Sequence, residues 1–343
     1  MKCKEQVLYC LIFILSFSLA GPISGQEKQS LFQILSKMEG MPHLSISTDF
    51  KRLVGKKLKE EYQEASLTIS HASLDRPIDL GGRIRARGNL RKQVCRIPPV
   101  KYDVPNGDLE HNNWALVDKL KFVFPCRFRK SDQEKLYKEE LLYQMYAIFD
   151  SNTIQTKLLE VEIIHEGETT EEFVAFIIED EEEYAHRTGA KIVESGRIVA
   201  QALDREAFLK MLFFQYMIAN VDWAISEKHN IQMVKLPDIQ RVVPLPYDFD
   251  YSGFVDQNYA VPHESLPIKS VHERYFFPYQ LTDEEIEHAR LLFLSKEEDI
   301  YSICESAHYL EPKTIQRSKK YLKNFFDLLR NPKSLKRRLK QHN

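Results

Sequence analysis

The residues best suited to chemistry fall in two short stretches. MIANVDWAISEKHNIQMVK (residues 217–235) runs from an apolar segment into Asn220, Asp222, His229 and Asn230, and PLPYDFDYSG (244–253) carries Asp248 and Asp250. A few oxygen ligands that share a cation with water and phosphate oxygens suit Mg²⁺ or Mn²⁺. The spacing offers Asn230, Asp248 and Asp250 for that task. Phosphoryl transfer also needs a carboxylate near the metal-bound phosphate that orients an attacking hydroxyl without being a ligand. Asp222, just ahead of the loop leading to Asn230, is the candidate. His229 reads as a structural histidine that orients this loop, and Trp223 as a packing residue.

Two elements must position these groups. IQMVK and RVVPL flank the turn LPDIQ and read as the strands of a hairpin. Pairing Lys235 with Arg241 sets Asn230 opposite Pro246, within two residues of Asp248, so that amide and carboxylate converge at the open end. An extended chain at Asp248 and Asp250 would point both carboxylates to one side. Ahead of the hairpin, DREAFLKMLFFQYMIAN has the apolar face of a buried helix, with Asp204 as its N-cap.

The chain around these stretches is ordinary in composition. Its 343 residues are 43% apolar and 29% charged, which suits one large globular unit or two lobes, and the formal charge of −2 argues against a generic nucleic-acid binder. Lys2 and Lys4 precede the apolar run VLYCLIFILSFSLA, with small residues at Ser18, Ala20 and Gly25. Residues 1–25 therefore read as a signal peptide, cut after Ala20 or Gly25, and the mature chain as a soluble exported protein, periplasmic or secreted, with no transmembrane segment. Export leaves Cys95, Cys126 and Cys304; Cys95 and Cys126 pair, or all three remain buried thiols.

Short β-like runs separated by Gly, Pro and Asn-Gly signals fill residues 66–126: SLTISHA, GGRIRARGN, PPVKYDV and LKFVFPC. One helix follows at KLYKEELLYQMYAIFD, then strands at KLLEVEIIHE and EEFVAFIIED. Helical patterns dominate from about residue 204. The outline is an α+β protein, with a β-rich N-terminal lobe with one helix over residues 26–190 and a mainly helical C-terminal lobe over 191–343, joined around FIIEDEEEYAHRTG. Nine carboxylates without a Lys or Arg between Glu166 and Glu183, and eleven Lys and Arg against one acid in residues 313–343, read as solvated faces.

The order Asp222, Asn230, hairpin, Asp-Phe-Asp makes the resemblance specific. NVDWAISEKHN followed by VVPLPYDFDYSG resembles the kinase-like families typified by the spore-coat kinase CotH and, more distantly, HipA, and IRARGNLRKQVCRIPPVKYDV is similar to the strands of the CotH type. The resemblance spans roughly residues 83–253 and implies a two-lobed protein-kinase-like fold that uses Mg²⁺ and ATP. It makes Asp222 the catalytic-loop acid, Asn230 and Asp248 metal ligands, and Lys101 the strand lysine on the nucleotide phosphates. It further makes Glu139 on the lone N-lobe helix the partner of Lys101, with Lys121 and Glu140 as close competitors. Arg85, Arg87 and Glu179 complete the cofactor-binding candidates. The sequence departs from the pattern in two places. Asp222 and Asn230 stand eight residues apart, wider than in the protein-kinase loop. No GxGxxG loop is present, so arginines and backbone amides must hold phosphate.

Three functions follow as expectations. The first is an exported phosphotransferase acting on a protein or small-molecule hydroxyl. The second is an inactive kinase-like binding module of the cell envelope. The third is a metal-dependent phosphohydrolase on Asp222, His229, Asp248 and Asp250, which lacks the usual paired His-x-His spacing. YSGFVDQNYAVPHESLPIKSVHERYF takes the place of a substrate loop, with Tyr251, Tyr259 and Arg274 as candidate contacts.

Overall fold

A computed structural model describes residues 28–340, so the expected signal peptide lies outside the described residues. In chain order the first elements are α1 (Leu31–Lys37), β1 (His43–Ser47), α2 (Phe50–Gly55), β2 (Gln63–Glu64), β3 (Ser66–Ser70), β4 (Ile78–Leu80), β5 (Arg83–Ala86), α3 (Leu90–Val94), β6 (Val100–Asp103) and α4 (Asn106–His111). Next come β7 (Lys119–Val123), α5 (Lys130–Ala147), β8 (Thr156–His165), β9 (Glu168–Ile178), α6 (Glu181–Thr188), β10 (Lys191–Ile192), α7 (Arg205–Ile218), β11 (Ile231–Lys235) and β12 (Val243–Pro246). Four helices finish the chain: α8 (Asp283–Ser295), α9 (Glu297–Ser306), α10 (Pro312–Leu329) and α11 (Pro332–Lys340).

The fold is mixed α and β. Residues 28–190 hold six helices rather than the single one expected. Only α5, with 18 residues, is long enough to show a 3.6-residue period; the other five have eight residues or fewer and are set by caps and turns. Asp180, for example, caps α6 by accepting from the Glu183 amide, and left-handed Gly189 ends that helix.

Nine strands form one sheet in the order β2-β5-β6-β7-β9-β8-β1-β3-β4, antiparallel except for the parallel pair β1 and β8. Alternation decides what each face carries. Ile84, Val100, Tyr102, Leu120 and Phe122 point to one face, where they share a core with Leu31, Phe32 and Leu35 of α1. Their chain neighbours Arg85, Lys101 and Lys121 are directly cross-strand from one another, in the registers Arg85↔Lys101 and Lys101↔Lys121, and therefore line up on the other face. Farther along that face Val123, Leu158, Phe176 and Ile178 pack with α5 in the larger core, which draws on residues from both sides of residue 190.

The hairpin exists, with its register one residue from the expectation: Ile231, not Asn230, pairs with Pro246. Val242 explains the slip. It bridges to Leu203 and its carbonyl accepts from the Asp204 amide at 2.7 Å, so residues 236–242 form a longer connection. Asn230 then faces Tyr247, whose amide donates to the Asn230 carbonyl at 3.1 Å. β10 pairs with the other edge of β11, making a three-stranded sheet.

Candidate functional site

Helix α7 begins at its Asp204 cap and ends at left-handed Ala219. Eleven of its fourteen residues are buried, so its end is a fixed point. Carbonyls there have no helical partner, and the segment after Asp250 supplies one for two of them: the Gly253 amide donates to Ala219 and the Phe254 amide to Ile218, both at 3.1 Å. Gly253 is required at this approach, because a Cβ would lie 2.2 Å from the Val271 carbonyl oxygen. Asp222 and Asp250 are thus held by the same helix end.

The loop from Asn220 to Asn230 is closed by its own polar groups. The Asn220 Oδ1 accepts from the Asp222 amide (3.1 Å), and Trp223 Nε1 donates to the Asn220 carbonyl (3.1 Å). Asn230 Nδ2 donates to the Asp222 carbonyl (2.7 Å) and to its Oδ2 (3.0 Å), while His229 Nε2 lies 3.0 Å from Oδ1. Left-handed φ values at Lys228 and Asn230 let the chain double back across the eight-residue gap. His229 therefore orients Asp222, and the amide nitrogen of Asn230 is used inside the loop, which leaves its oxygen for a ligand. Trp223 packs against Phe277 and Tyr279.

Asp248 is not extended, as a shared side for the two carboxylates had required; its φ is +58°. Both carboxylates nonetheless line one cavity. Fully buried Phe249 between them packs on Tyr143 of α5 and Phe214 of α7, at ring-centroid distances of 4.8 and 5.5 Å. The Tyr143 hydroxyl accepts from the Asp248 amide at 2.8 Å. The Asp248 carboxylate accepts no hydrogen bond among the described residues. Burial, then the nearby Asp250 and Glu139 carboxylates, push it well above the ordinary range, against Arg91 and Arg87. The Asp250 carboxylate is engaged: Tyr259 donates to Oδ2 at 2.5 Å, and Arg91 Nε lies 3.8 Å away.

Glu139 lies one helical turn before Tyr143, so α5 presents both to the same cavity. Its partner is Arg91 and not Lys101. Arg91 Nη1 donates to both carboxylate oxygens, at 2.8 and 3.1 Å, and Nη2 to the Phe124 carbonyl at 3.2 Å. The pair is sealed from solvent, with Arg91 7% and Glu139 1% exposed. The physical reason is local: α3, which carries Arg91, ends at Cys95, and the Cys95–Cys126 disulfide ties it to the chain just after β7 and Phe124. Cys304 remains a buried thiol.

The remaining candidates divide. A cavity of about 240 Å³ is lined by Asp222, Asn230, Asp248, Asp250, Glu139 and Arg87, together with Arg91, Lys121 and Glu179. Arg87 is half-buried, with a shielded Nε that has no hydrogen-bond partner, and the Asp248 charge acts on it. Lys101 and Arg85 are not on the wall. Lys121 occupies the wall position instead and pairs with Glu181 at 2.5 Å. Arg85 pairs with Glu60 at 2.8 Å and stacks over Tyr62. Lys101, between these two cations, has no ion pair among the described residues, and burial followed by the Lys121 charge lowers its pKa. The Glu179 carboxylate is occupied by Arg187, at 2.6 and 2.9 Å, and by the Gln155 amide, so its side chain is structural.

Glu140, the competitor of Glu139, accepts from Thr156 and Gln144, and burial pushes it up to about 7. Arg274 serves structure: it donates to the carbonyls of Met217 and Tyr321 and lies over the Tyr321 ring. Tyr251 lines the cavity.

Arg91, which lines the cavity and pairs with Glu139, is the residue that sequence reasoning missed. The signal was its place between an Asn-Leu helix start and Cys95, inside a segment already singled out. Among the described residues, no three His, Cys, Asp or Glu side chains come together as a metal-binding group. A divalent ion would rest on Asp248 and the Asn230 oxygen, and the unpartnered, repelled carboxylate of Asp248 fits that role. No described helix is long and apolar enough to cross a membrane.

No family model matches the chain, and none of the curated proteins matches it by sequence. Among solved structures, it is similar to the Helicobacter pylori proinflammatory kinase CtkA, at 11% identity and a TM-score of 0.39, over 76% of this chain and 95% of that chain. A likeness at this level assigns no role to any residue here.

Proposed function

We propose that the chain is an exported phosphotransferase with a two-lobed kinase-like arrangement, moving a phosphoryl group from a nucleotide, ATP with Mg²⁺ or Mn²⁺, to a hydroxyl of a protein or small molecule. One observation carries the reading: Asp222, Asn230, Asp248, Glu139 and two arginines, drawn from four separate segments, line the same cavity. A binding scaffold has no need of that set.

In this reading Asn230 and Asp248 hold the cation, which when bound neutralises charge on the phosphate oxygens. Arg87, with its free Nε, and Lys121 bind nucleotide phosphates, and backbone groups at residues 179–181 border the base end. Asp222 orients the acceptor hydroxyl and receives its proton; His229 and Asn230 fix the rotamer that task requires. Arg91 links Glu139 to Asp250 and so joins α5 to the metal-binding segment.

The experiment is transfer of labelled γ-phosphate to a panel of protein and small-molecule hydroxyl acceptors, and to water, beside Asp222→Asn. We expect the variant to keep nucleotide affinity and to lose about 10²- to 10⁴-fold in transfer rate. Transfer unchanged in Asp222→Asn would remove that residue from the chemistry.

A further inference from the structure

A second cavity, of about 380 Å³, borders another face of α5. Its walls are α5 with Lys135 and Lys138, the segment Gly253–Asp256, and α10 with Arg317 and Ser318. Among the described residues, none of these three cations has a carboxylate within ion-pair distance. Lys138 donates to the Val255 carbonyl at 3.2 Å and lies over the Phe254 ring; Lys135 donates to the Asn258 side chain at 2.6 Å. Arg317 is exposed and has no ion pair among the described residues. Burial lowers the pKa of both lysines, that of Lys138 to about 8, against the opposing charge of nearby Asp256.

Two further atoms define what is missing. Ser318 is 4% exposed, and its Oγ has no hydrogen-bond partner. Glu134 gives one carboxylate oxygen to the Thr314 hydroxyl at 3.1 Å, while the other is buried and accepts nothing. The second acid at the rim, Asp256, lies 3.3 Å from His272. An occupant must therefore offer acceptors to cations on two walls and to a buried hydroxyl, and one donor to a buried carboxylate oxygen.

We propose that this cavity binds a phosphate group that still carries a proton, either free phosphate or a small phosphate monoester. Its oxygens accept from Lys135, Lys138, Arg317 and Ser318, and its P–OH donates to Glu134 Oε1. A fully ionised tetrahedral anion such as sulfate lacks that donor and meets the Glu134 charge unrelieved. The occupant would tie α5, which also bears Glu139 and Tyr143, to α10 and to the segment that follows Asp250.

The test is calorimetric titration of the exported chain with inorganic phosphate and with sulfate at pH 6.5 and fixed ionic strength, repeated with a simple phosphate monoester. Phosphate should bind at least about tenfold more tightly than sulfate, and Arg317→Ala should weaken phosphate by about tenfold. Glu134→Gln should erase the preference. Arg87→Ala removes a phosphate contact of the first cavity and should leave intact the component of binding that Arg317→Ala weakens. Arg317 is exposed and unpaired, so its replacement spares the fold. No phosphate binding, equal affinity for sulfate, or binding lost in Arg87→Ala and kept in Arg317→Ala would each overturn the proposal. A monoester that binds where free phosphate binds more weakly identifies the source within the same class.

Discussion

The two walls of the first cavity are built in different ways. The acidic wall is set in its first part, Asp222 to Asn230, by bonds within that loop and by left-handed backbone at Lys228 and Asn230, while Asp248 to Asp250 is held in place by the Tyr143 hydroxyl and the burial of Phe249. The basic wall depends on partners far apart in sequence: Arg91 with Glu139 across 48 residues, and the Cys95–Cys126 link across 31. Local order in a sequence therefore reports the Asp222 to Asn230 loop well and the basic wall poorly, and the two should fail differently when broken.

The largest effect belongs to the buried ion pair. Glu139→Ala leaves Arg91 charged in the interior with only the longer contact to Asp250, and we expect a loss of about 3–5 kcal/mol in urea unfolding, against a far smaller loss for the half-exposed Asp222→Ala. Similar losses for both would erase the contrast. Next comes the tether. Closing a loop of this length is worth about 3–4 kcal/mol, so Cys95→Ser with Cys126→Ser should lower stability by that order and loosen α3, read as faster amide exchange at Arg91.

A pH experiment separates the cavity carboxyls from their neighbour. The folded chain holds the Glu140 proton up to about pH 7, whereas the unfolded chain releases it near 4.5. Its contribution is therefore full below about pH 4.5 and declines as pH rises to about 7. Glu140→Gln should match the wild type near pH 4.5 and exceed it by roughly 3 kcal/mol at pH 7.5. A decline with the same slope in the variant would assign the titration to Glu139 or Asp248 instead.

The smallest effect distinguishes the two strand lysines. Lys121→Met should weaken nucleotide binding by about 1–2 kcal/mol, and Lys101→Met by under about 0.5, measured by titration. The reverse order would restore Lys101 to the phosphate site.

What the sequence made legible follows the same division. The hairpin, α5, α7 and the meeting of Asp222, Asn230 and Asp248 at one cavity could be read because alternation, a 3.6-residue period and residue order are local signals. The hairpin register slipped by one because Val242 bonds to Leu203 and Asp204, a tertiary contact with no local mark. Asp248 and Asp250 share a cavity through the burial of Phe249 and not through extended geometry. The Glu139 partner was misassigned because Lys101, Lys121 and Arg91 differ only in which strand or helix brings them near α5, and the disulfide settled that. Five helices of eight residues or fewer escaped for want of a period.

The proposed phosphotransfer requires a nucleotide site in which Asp248 holds a cation, so the most direct measurement is calorimetric titration of residues 26–343 with ATP, with and without Mg²⁺, for the wild type and Asp248→Asn. We predict Mg²⁺-dependent binding in the wild type that the variant loses by at least about tenfold while remaining folded. No heat from folded wild-type protein with any nucleotide or metal, or equal binding by both proteins, would contradict it.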